Sequence, residues 1–125
     1  MKPKEKGDLA VSYAIHYFMT NGYEVSLPIG DKRDYDMIVE IEGSLSRVQV
    51  KYAGLYPGMK SCKVALRTTG GNQSFHTSKK YTDDAFDLLF VYTAKNEKYL
   101  LPWDEITARN ELTIEHSKYT TYKIT

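Results

Sequence analysis

Apolar residues near the start of the chain recur every three or four positions, the spacing of one stripe along an α-helix. The stripe consists of Ala10, Val11, Ala14, Ile15 and Phe18. The pattern predicts a helix over residues 5–20, and Gly22 follows where a helix commonly ends. We expect this helix to bury its apolar side against a sheet.

After Gly22 the period changes to the alternation that is typical of β-strands, interrupted by residues that favour turns. The predicted strands are 23–27, 35–41, 45–53, 61–68, 87–93 and 97–102, and a short helix is predicted over 78–85. The tail from Asn110 is ambiguous, with weak alternation over 119–124. This order predicts a mixed α/β or α+β layer domain, with the first helix covering a sheet.

Length and composition narrow the class of protein. The chain has 125 residues without a repeat or linker, so residues 1–125 are predicted to form a single domain. No apolar run is long enough to span a bilayer, and the charged N-terminus lacks the apolar segment of an export signal. The single cysteine, Cys62, fits a reducing cytoplasm. Seventeen basic and sixteen acidic residues nearly cancel, so bulk charge does not indicate a nucleic-acid partner.

Polar side chains converge on one face of the predicted central hairpin. If the turn lies at Gly43-Ser44, antiparallel pairing sets Asp36 opposite Lys51, and Gln49 lies diagonal to Asp36 on the same face. The opposite face carries the apolar residues Met37, Val39, Ile41, Val48 and Val50, which are suited to a core. The hairpin therefore separates a polar patch from an apolar one.

This polar patch suits metal-assisted hydrolysis of a phosphodiester. Mg²⁺ prefers oxygen ligands, and Asp36, the Gln49 side-chain oxygen and the Val50 carbonyl are candidates. The metal would lower the pKa of a bound water, and Lys51 would position that water or stabilise developing negative charge. The same alternation over residues 47–51 is also typical of any half-exposed strand, so the pattern alone leaves both interpretations open.

Several short motifs, in their order and spacing, resemble the PD-(D/E)XK nuclease superfamily. More narrowly, the chain is similar to the small endonucleases of group I introns and their bacterial and phage relatives, which use a glutamine in place of the usual second acid, as Gln49 stands here. The motifs are Lys6-Gly7-Asp8, residues 22–28, Tyr35-Asp36, residues 47–51 and Tyr99-Leu100-Leu101-Pro102. The resemblance implies a restriction-endonuclease-like core, with a central mixed sheet flanked by helices.

The resemblance also implies an activity. It implies a site-specific, homing-type endonuclease that cuts double-stranded DNA and leaves 5′-phosphate and 3′-hydroxyl ends. It implies Mg²⁺ as the cofactor, with Mn²⁺ able to substitute. Because cutting both strands usually needs two active sites, we expect a homodimer or homotetramer, and no membrane partner.

One position departs from the pattern of these relatives. They commonly place a glutamate on the first helix, four residues after the glycine, and that position counted from Gly7 is Val11. Asp8 is a candidate replacement in the catalytic set, although an aspartate near a helix start also suits an N-cap. The departure leaves open a displaced ligand, a weaker metal site, or a protein that binds DNA without cutting it.

Basic residues in the second half of the chain are candidates for contacts with DNA phosphates. The candidates are Lys60, Lys63, Arg67, Lys79, Lys80 and Tyr81, together with the loop of residues 70–75. Arg67 is also a candidate to read guanine in a major groove. For each of these residues a solvated surface position is the alternative. The alternative functions are a catalytically impaired DNA-binding protein, a Holliday-junction-resolving nuclease and a plain interaction module.

Overall fold

The computed structural model describes residues 1–69 and 78–125. Within these residues the chain forms one α-helix, α1 (Pro3–Thr20), ten short strands and two 3₁₀ helices, Trp103–Glu105 and Ser117–Tyr122. The strands are β1 (Glu24–Ser26), β2 (Met37–Ile41), β3 (Ser44–Ala53), β4 (Lys63–Ala65), β5 (Arg67–Thr69), β6 (Ser78–Lys80), β7 (Leu88–Thr93), β8 (Lys98–Pro102), β9 (Glu111–Thr113) and β10 (Lys123–Ile124).

A six-stranded mixed sheet is the centre of the molecule. Its order is β1-β2-β3-β7-β8-β10, and β3 and β7 are its parallel pair, while the other neighbours run antiparallel. Two small two-stranded sheets, β4-β9 and β5-β6, complete the described strands. The mixed sheet predicted from the sequence is confirmed. The plural flanking helices are not, because α1 is the one α-helix among the described residues.

Helix α1 covers one face of the central sheet through its apolar stripe. Ala10, Ala14 and Phe18 are fully buried, and they pack in one cluster with sheet residues that include Val48 and Phe90. The predicted helix is confirmed, although it begins two residues earlier, with Pro3 in its first turn. No helix in the described part of the chain is long and apolar enough to cross a membrane.

The opposite face of the sheet packs against a second core. This cluster joins β7 and β8 to the β4-β9 sheet and to Leu66 and Tyr81, which adjoin β5 and β6, and it contains large buried side chains. They include Leu66, Leu89, Leu101, Trp103, Leu112 and Ile114. The polar patch of the central hairpin lies on this side, because Gln49 and Lys51 pair with Leu89 and Val91 of the parallel neighbour.

The β2-β3 hairpin sets the relative positions of the candidate site residues. Its turn is Glu42-Gly43, with φ angles of 51° and 84°, so both central residues adopt the positive φ of a type I′ turn. Ile41 pairs with Ser44 and Met37 with Val48, and the Asp36 N–H donates to the Val48 carbonyl, so Asp36 lies beside Val48. The predicted pairing of Asp36 with Lys51 is therefore wrong, because the turn begins one residue earlier and the register of the strands is shifted by two residues. A shift of two leaves every side chain on its predicted face.

Two further predictions are wrong. The strand predicted over 61–68 is two strands in different sheets, separated at Leu66, whose backbone N–H donates to the Asn110 carbonyl at 2.9 Å. The helix predicted over 78–85 is instead the strand β6 followed by a turn, in which the Ala85 N–H donates to the Thr82 carbonyl at 3.2 Å. The predicted loop of residues 70–75 lies outside the described residues.

Candidate active site

The candidate site lies where β2 begins beside the middle of β3. The Asp36 N–H donates to the Val48 carbonyl at 2.8 Å, so the backbone of Asp36 is held against β3 just before β2 begins. Gln49 and Lys51 follow on β3, with Gln49 8% exposed and Asp36 and Lys51 half-buried. The structure thus brings together the three side chains that the sequence predicted to share a face.

Two side-chain oxygens converge on one peptide of β3. The Val50 N–H donates to Asp36 Oδ2 at 2.8 Å and to Gln49 Oε1 at 2.9 Å. The N–H and C=O of one residue in a strand face the same neighbouring strand, so the Val50 carbonyl faces this edge as well. Since the paired part of β2 ends at Met37, that edge is open beside Asp36. A carboxylate, an amide oxygen and a backbone carbonyl are therefore available at one edge.

The orientation of the Gln49 amide follows from its hydrogen bonds. Its Nε2 donates to the Asp34 carbonyl at 2.9 Å and to the Tyr81 hydroxyl at 3.0 Å. With the nitrogen held on that side, Oε1 is the atom that faces the Val50 N–H and Asp36. A network of this kind is the physical basis for assigning the two ends of a glutamine amide.

Lys51 is held by contacts outside the central sheet. Its Nζ donates to the Arg67 carbonyl of β5 at 3.1 Å and lies 5.1 Å from the centroid of the Tyr81 ring. Burial lowers the pKa of Lys51, and the nearby charge of Asp36 opposes that shift. The ammonium group is thus partly desolvated and retains donors beyond the one used by Arg67.

The pKa of the Asp36 carboxyl group is also shifted in the direction that favours its neutral form. Burial raises the pKa of Asp36, while the hydrogen bond from Val50 and the charge of Lys51 lower it. Ionisable groups whose pKa is shifted by burial beside a specific charged partner are common at functional sites. Burial also raises the pKa of Tyr81, with the charges of Asp36 and Asp34 adding to the effect.

The set of donor atoms fits a hard divalent cation. Asp36, Gln49 and the Val50 carbonyl all offer oxygen, and Mg²⁺ is commonly bound by one or two carboxylates together with waters and substrate phosphates. Among the described residues, no group of three or more histidine, cysteine, aspartate or glutamate side chains is placed to hold a metal. A zinc-type nitrogen and sulfur site is therefore not formed by these residues.

The structure does not place Asp8 in this cluster. Asp8 is exposed in the second turn of α1 and pairs with Lys4 at 3.6 Å, one turn earlier. It is not the N-cap either, because the helix begins at Pro3 and the Lys2 N–H donates to Glu5 at 3.2 Å. Val11 is half-buried and packs against the core beneath α1.

The predicted DNA-binding residues separate into two groups. Lys60, Lys79 and Lys80 are exposed. Lys63 and Arg67 are half-buried, and Lys63 pairs with Glu111 at 3.7 Å, while Arg67 Nε donates to Asn110 Oδ1 at 2.9 Å. The three exposed lysines thus present their ammonium groups to solvent.

Tyr81 does not lie at the surface as a DNA-binding side chain would. It is 4% exposed, and its hydroxyl and ring contact Gln49 and Lys51 from within the protein. Sequence reasoning also missed the Asp34 carbonyl as an acceptor for Gln49. No local pattern identifies either contact, because each joins Gln49 to a segment that is distant along the chain.

The mixed sheet carries an aspartate just before one strand and a Gln-Val-Lys run on the next. This is the arrangement that the resemblance in the sequence predicted for a nuclease core. The chain belongs to the PD-(D/E)XK endonuclease family, whose profile matches residues 1–123. Among solved structures it is similar to a bacterial homing endonuclease, I-Ssp6803I, with a TM-score of 0.84 and 26% sequence identity over 98% of this chain and 89% of that chain. Comparison with curated proteins gives no match.

Proposed function

We propose that this endonuclease hydrolyses phosphodiester bonds of double-stranded DNA in a reaction that depends on Mg²⁺, with Mn²⁺ able to substitute. The observation that carries the proposal is the convergence of Asp36 Oδ2 and Gln49 Oε1 on the Val50 peptide, with Lys51 next on the same face. Similarity to a homing endonuclease supports recognition of a specific DNA sequence.

Asp36, Gln49 and the Val50 carbonyl would hold the metal ion. When bound, Mg²⁺ lowers the pKa of a coordinated water and neutralises charge on the scissile phosphate. Lys51 keeps free N–H donors beside these oxygens, so its role is to orient the attacking water or to stabilise negative charge that develops on the phosphate. Hydrolysis adds water across the P–O3′ bond, which leaves a 5′-phosphate and a 3′-hydroxyl.

The exposed lysines supply the proposed contacts with the DNA backbone. Lys79 and Lys80 lie on β6, directly before Tyr81, so DNA bound along β6 would lie beside the catalytic patch. The described residues of one chain form one such patch. We therefore propose a homodimer or homotetramer in which twofold symmetry places one site on each strand of the duplex.

A cleavage assay on a large, varied pool of duplex DNA tests this function. The wild-type protein is expected to cut in Mg²⁺ or Mn²⁺, to be silent in EDTA, and to yield a defined set of sequenced ends. Lys51→Met is expected to lower the rate by about 100-fold or more, the usual cost of losing a donor to a developing oxyanion. Lys98→Met is the matched control, because Lys98 is also a half-buried lysine on a strand of the same sheet. Equal rates for the two variants would contradict the proposal.

Val11 favours a second candidate function, a DNA-binding protein that keeps the fold without cutting. Its half-buried isopropyl group occupies the helix position where related endonucleases commonly carry a glutamate. If the wild-type protein binds DNA but is silent, Val11→Glu is expected to switch on metal-dependent cutting, and Val11→Gln, of equal size but neutral, is not. Activity of the wild-type protein would exclude this candidate.

Comparing four-way junctions with linear duplex in the same assay separates a junction-resolving nuclease from a homing-type enzyme.

A further inference from the structure

Tyr81 is a buried side chain that the proposed reaction does not itself use. It directly follows β6 and is 4% exposed. Its ring makes edge-to-face contacts with Phe86 and Trp103, at centroid distances of 5.1 and 6.3 Å. These contacts fix the plane of the ring, so the position of the hydroxyl group is set by the second core.

The Tyr81 hydroxyl lies on the nitrogen side of the Gln49 amide. It accepts a hydrogen bond from Gln49 Nε2 at 3.0 Å, beside the one that the Asp34 carbonyl accepts at 2.9 Å. An amide presents a donor at one end and an acceptor at the other, and rotation by half a turn exchanges them. If Gln49 were reversed, its NH₂ group would face the Val50 N–H, so two donors would meet, and a nitrogen would point toward Asp36.

We propose that Tyr81 is a positioning residue: its hydroxyl holds the Gln49 amide with the oxygen toward the metal site. The inference rests on the proposed metal-dependent function, and Tyr81 itself touches neither metal nor DNA. Because its ring face also lies 5.1 Å from Lys51 Nζ, the same side chain contacts both Gln49 and Lys51. Outer-shell partners of this kind typically change metal affinity by about 10- to 100-fold when they are removed.

The test is Tyr81→Phe, which removes the hydroxyl oxygen and keeps the ring, its packing and the contact with Lys51. Tyr99→Phe is the matched control, since Tyr99 is also 4% exposed in the same core cluster and lies outside the site. Calorimetric titration with Mn²⁺ is expected to give about 10-fold weaker binding for Tyr81→Phe and an unchanged Kd for Tyr99→Phe. An unchanged Kd for Tyr81→Phe would overturn the inference.

Testing Tyr81→Phe in a second variant of the protein, Gln49→Glu, distinguishes a loss of Gln49 orientation from a general loss of structure. Gln49→Glu replaces the amide by a carboxylate with two equivalent oxygens, so no orientation of that side chain is wrong. In this background Tyr81→Phe is expected to change the Mn²⁺ affinity by less than about 2-fold. The same 10-fold loss in both backgrounds would show a structural effect and overturn the inference.

The metal-free protein supplies an independent reading by NMR. The side-chain NH₂ signals of Gln49 are expected to shift and broaden in Tyr81→Phe and to stay unchanged in Tyr99→Phe.

The outcomes separate the two proposals. If the wild-type protein binds Mn²⁺, and Tyr81→Phe weakens this binding only when residue 49 is glutamine, but the wild-type protein cuts no DNA, the proposed function alone is refuted. Wild-type protein that cuts DNA while Tyr81→Phe retains wild-type affinity and NH₂ signals would refute the positioning role alone. Absence of metal binding by the wild-type protein would refute both.

Discussion

Asp36 is a carboxylate that the fold holds in a partly desolvated position. Burial raises the pKa of Asp36, and the hydrogen bond from Val50 and the charge of Lys51 only partly offset this shift. A raised pKa in the folded state means that the ionised form is less favourable there than in the unfolded chain. Ionised Asp36 therefore costs stability above its folded-state pKa, and this cost disappears below its unfolded pKa, where both states are protonated.

Asp36→Asn is accordingly expected to stabilise the metal-free protein at pH 7 by on the order of 1 kcal/mol, the usual size of a single stabilising substitution. Urea unfolding at several pH values measures the effect. The gain is expected to shrink as the pH falls toward 3.8, the ordinary value for an aspartate. Asp31→Asn is the control, since Asp31 is exposed on the loop that precedes Asp36. Destabilisation by Asp36→Asn at pH 7 would contradict this account of the site.

For individual residues, the alternation of polar and apolar positions predicted which side chains share a face of the hairpin. It did not predict which other residues these side chains contact. Asp36, Gln49 and Lys51 remained together even though the register differed by two residues, because a strand repeats its facing every second position. The contacts of Gln49 with Tyr81 and of Lys51 with the Arg67 carbonyl span 32 and 16 residues along the chain. Their formation depends on how β5 and β6 fold back, which local patterns do not encode.

The β2-β3 turn is the element that sets the geometry of the site. Gly43 has a φ of 84°, a backbone conformation that residues with a side chain adopt only with strain. A Cβ atom added at this position would nevertheless meet open space. Because this turn fixes the register of β2 against β3, and with it the position of Asp36 beside Val48, its conformation and the site are linked.

Gly43→Ala is expected to lower the free energy of unfolding by about 1–2 kcal/mol, the usual cost of the left-handed region for an alanine. Gly7→Ala is the matched substitution in α1, where the added methyl group also meets open space. There the expected change is about 1 kcal/mol of stabilisation, because alanine favours a helix over glycine. Denaturant titration of both variants measures the two values. A change of the same sign at both glycines would contradict the type I′ assignment.

Element predictions succeeded where the periodic pattern was long. The helix over 5–20 and the strand pairs β2-β3 and β7-β8 were found because their hydrophobic periods extend over whole elements. The helix predicted over 78–85 failed because β6 is only three residues long and is defined by pairing with β5. Pairing between distant short strands overrides local propensity.

At the scale of the whole molecule, the described residues of one chain provide one candidate catalytic patch. If two copies act together, each cuts one strand of the duplex. Co-expression of differently tagged wild-type and Lys51→Met chains, followed by purification of the mixed species, tests this arrangement. The mixed species is expected to nick supercoiled plasmid and leave open circles, whereas the wild-type protein gives linear DNA. Linear DNA from the mixed species at the wild-type rate would contradict the two-site arrangement.

The central claim is that Asp36, Gln49 and Val50 hold one divalent ion. Titration of isotope-labelled protein with Mn²⁺ tests it most directly, because the paramagnetic ion broadens the NMR signals of its neighbours. The account predicts that the backbone amide signals of Asp36, Gln49 and Val50 disappear first in the wild-type protein and survive in Asp36→Asn. Broadening that begins instead at exposed carboxylates such as Asp31, or that is unchanged in Asp36→Asn, would contradict it.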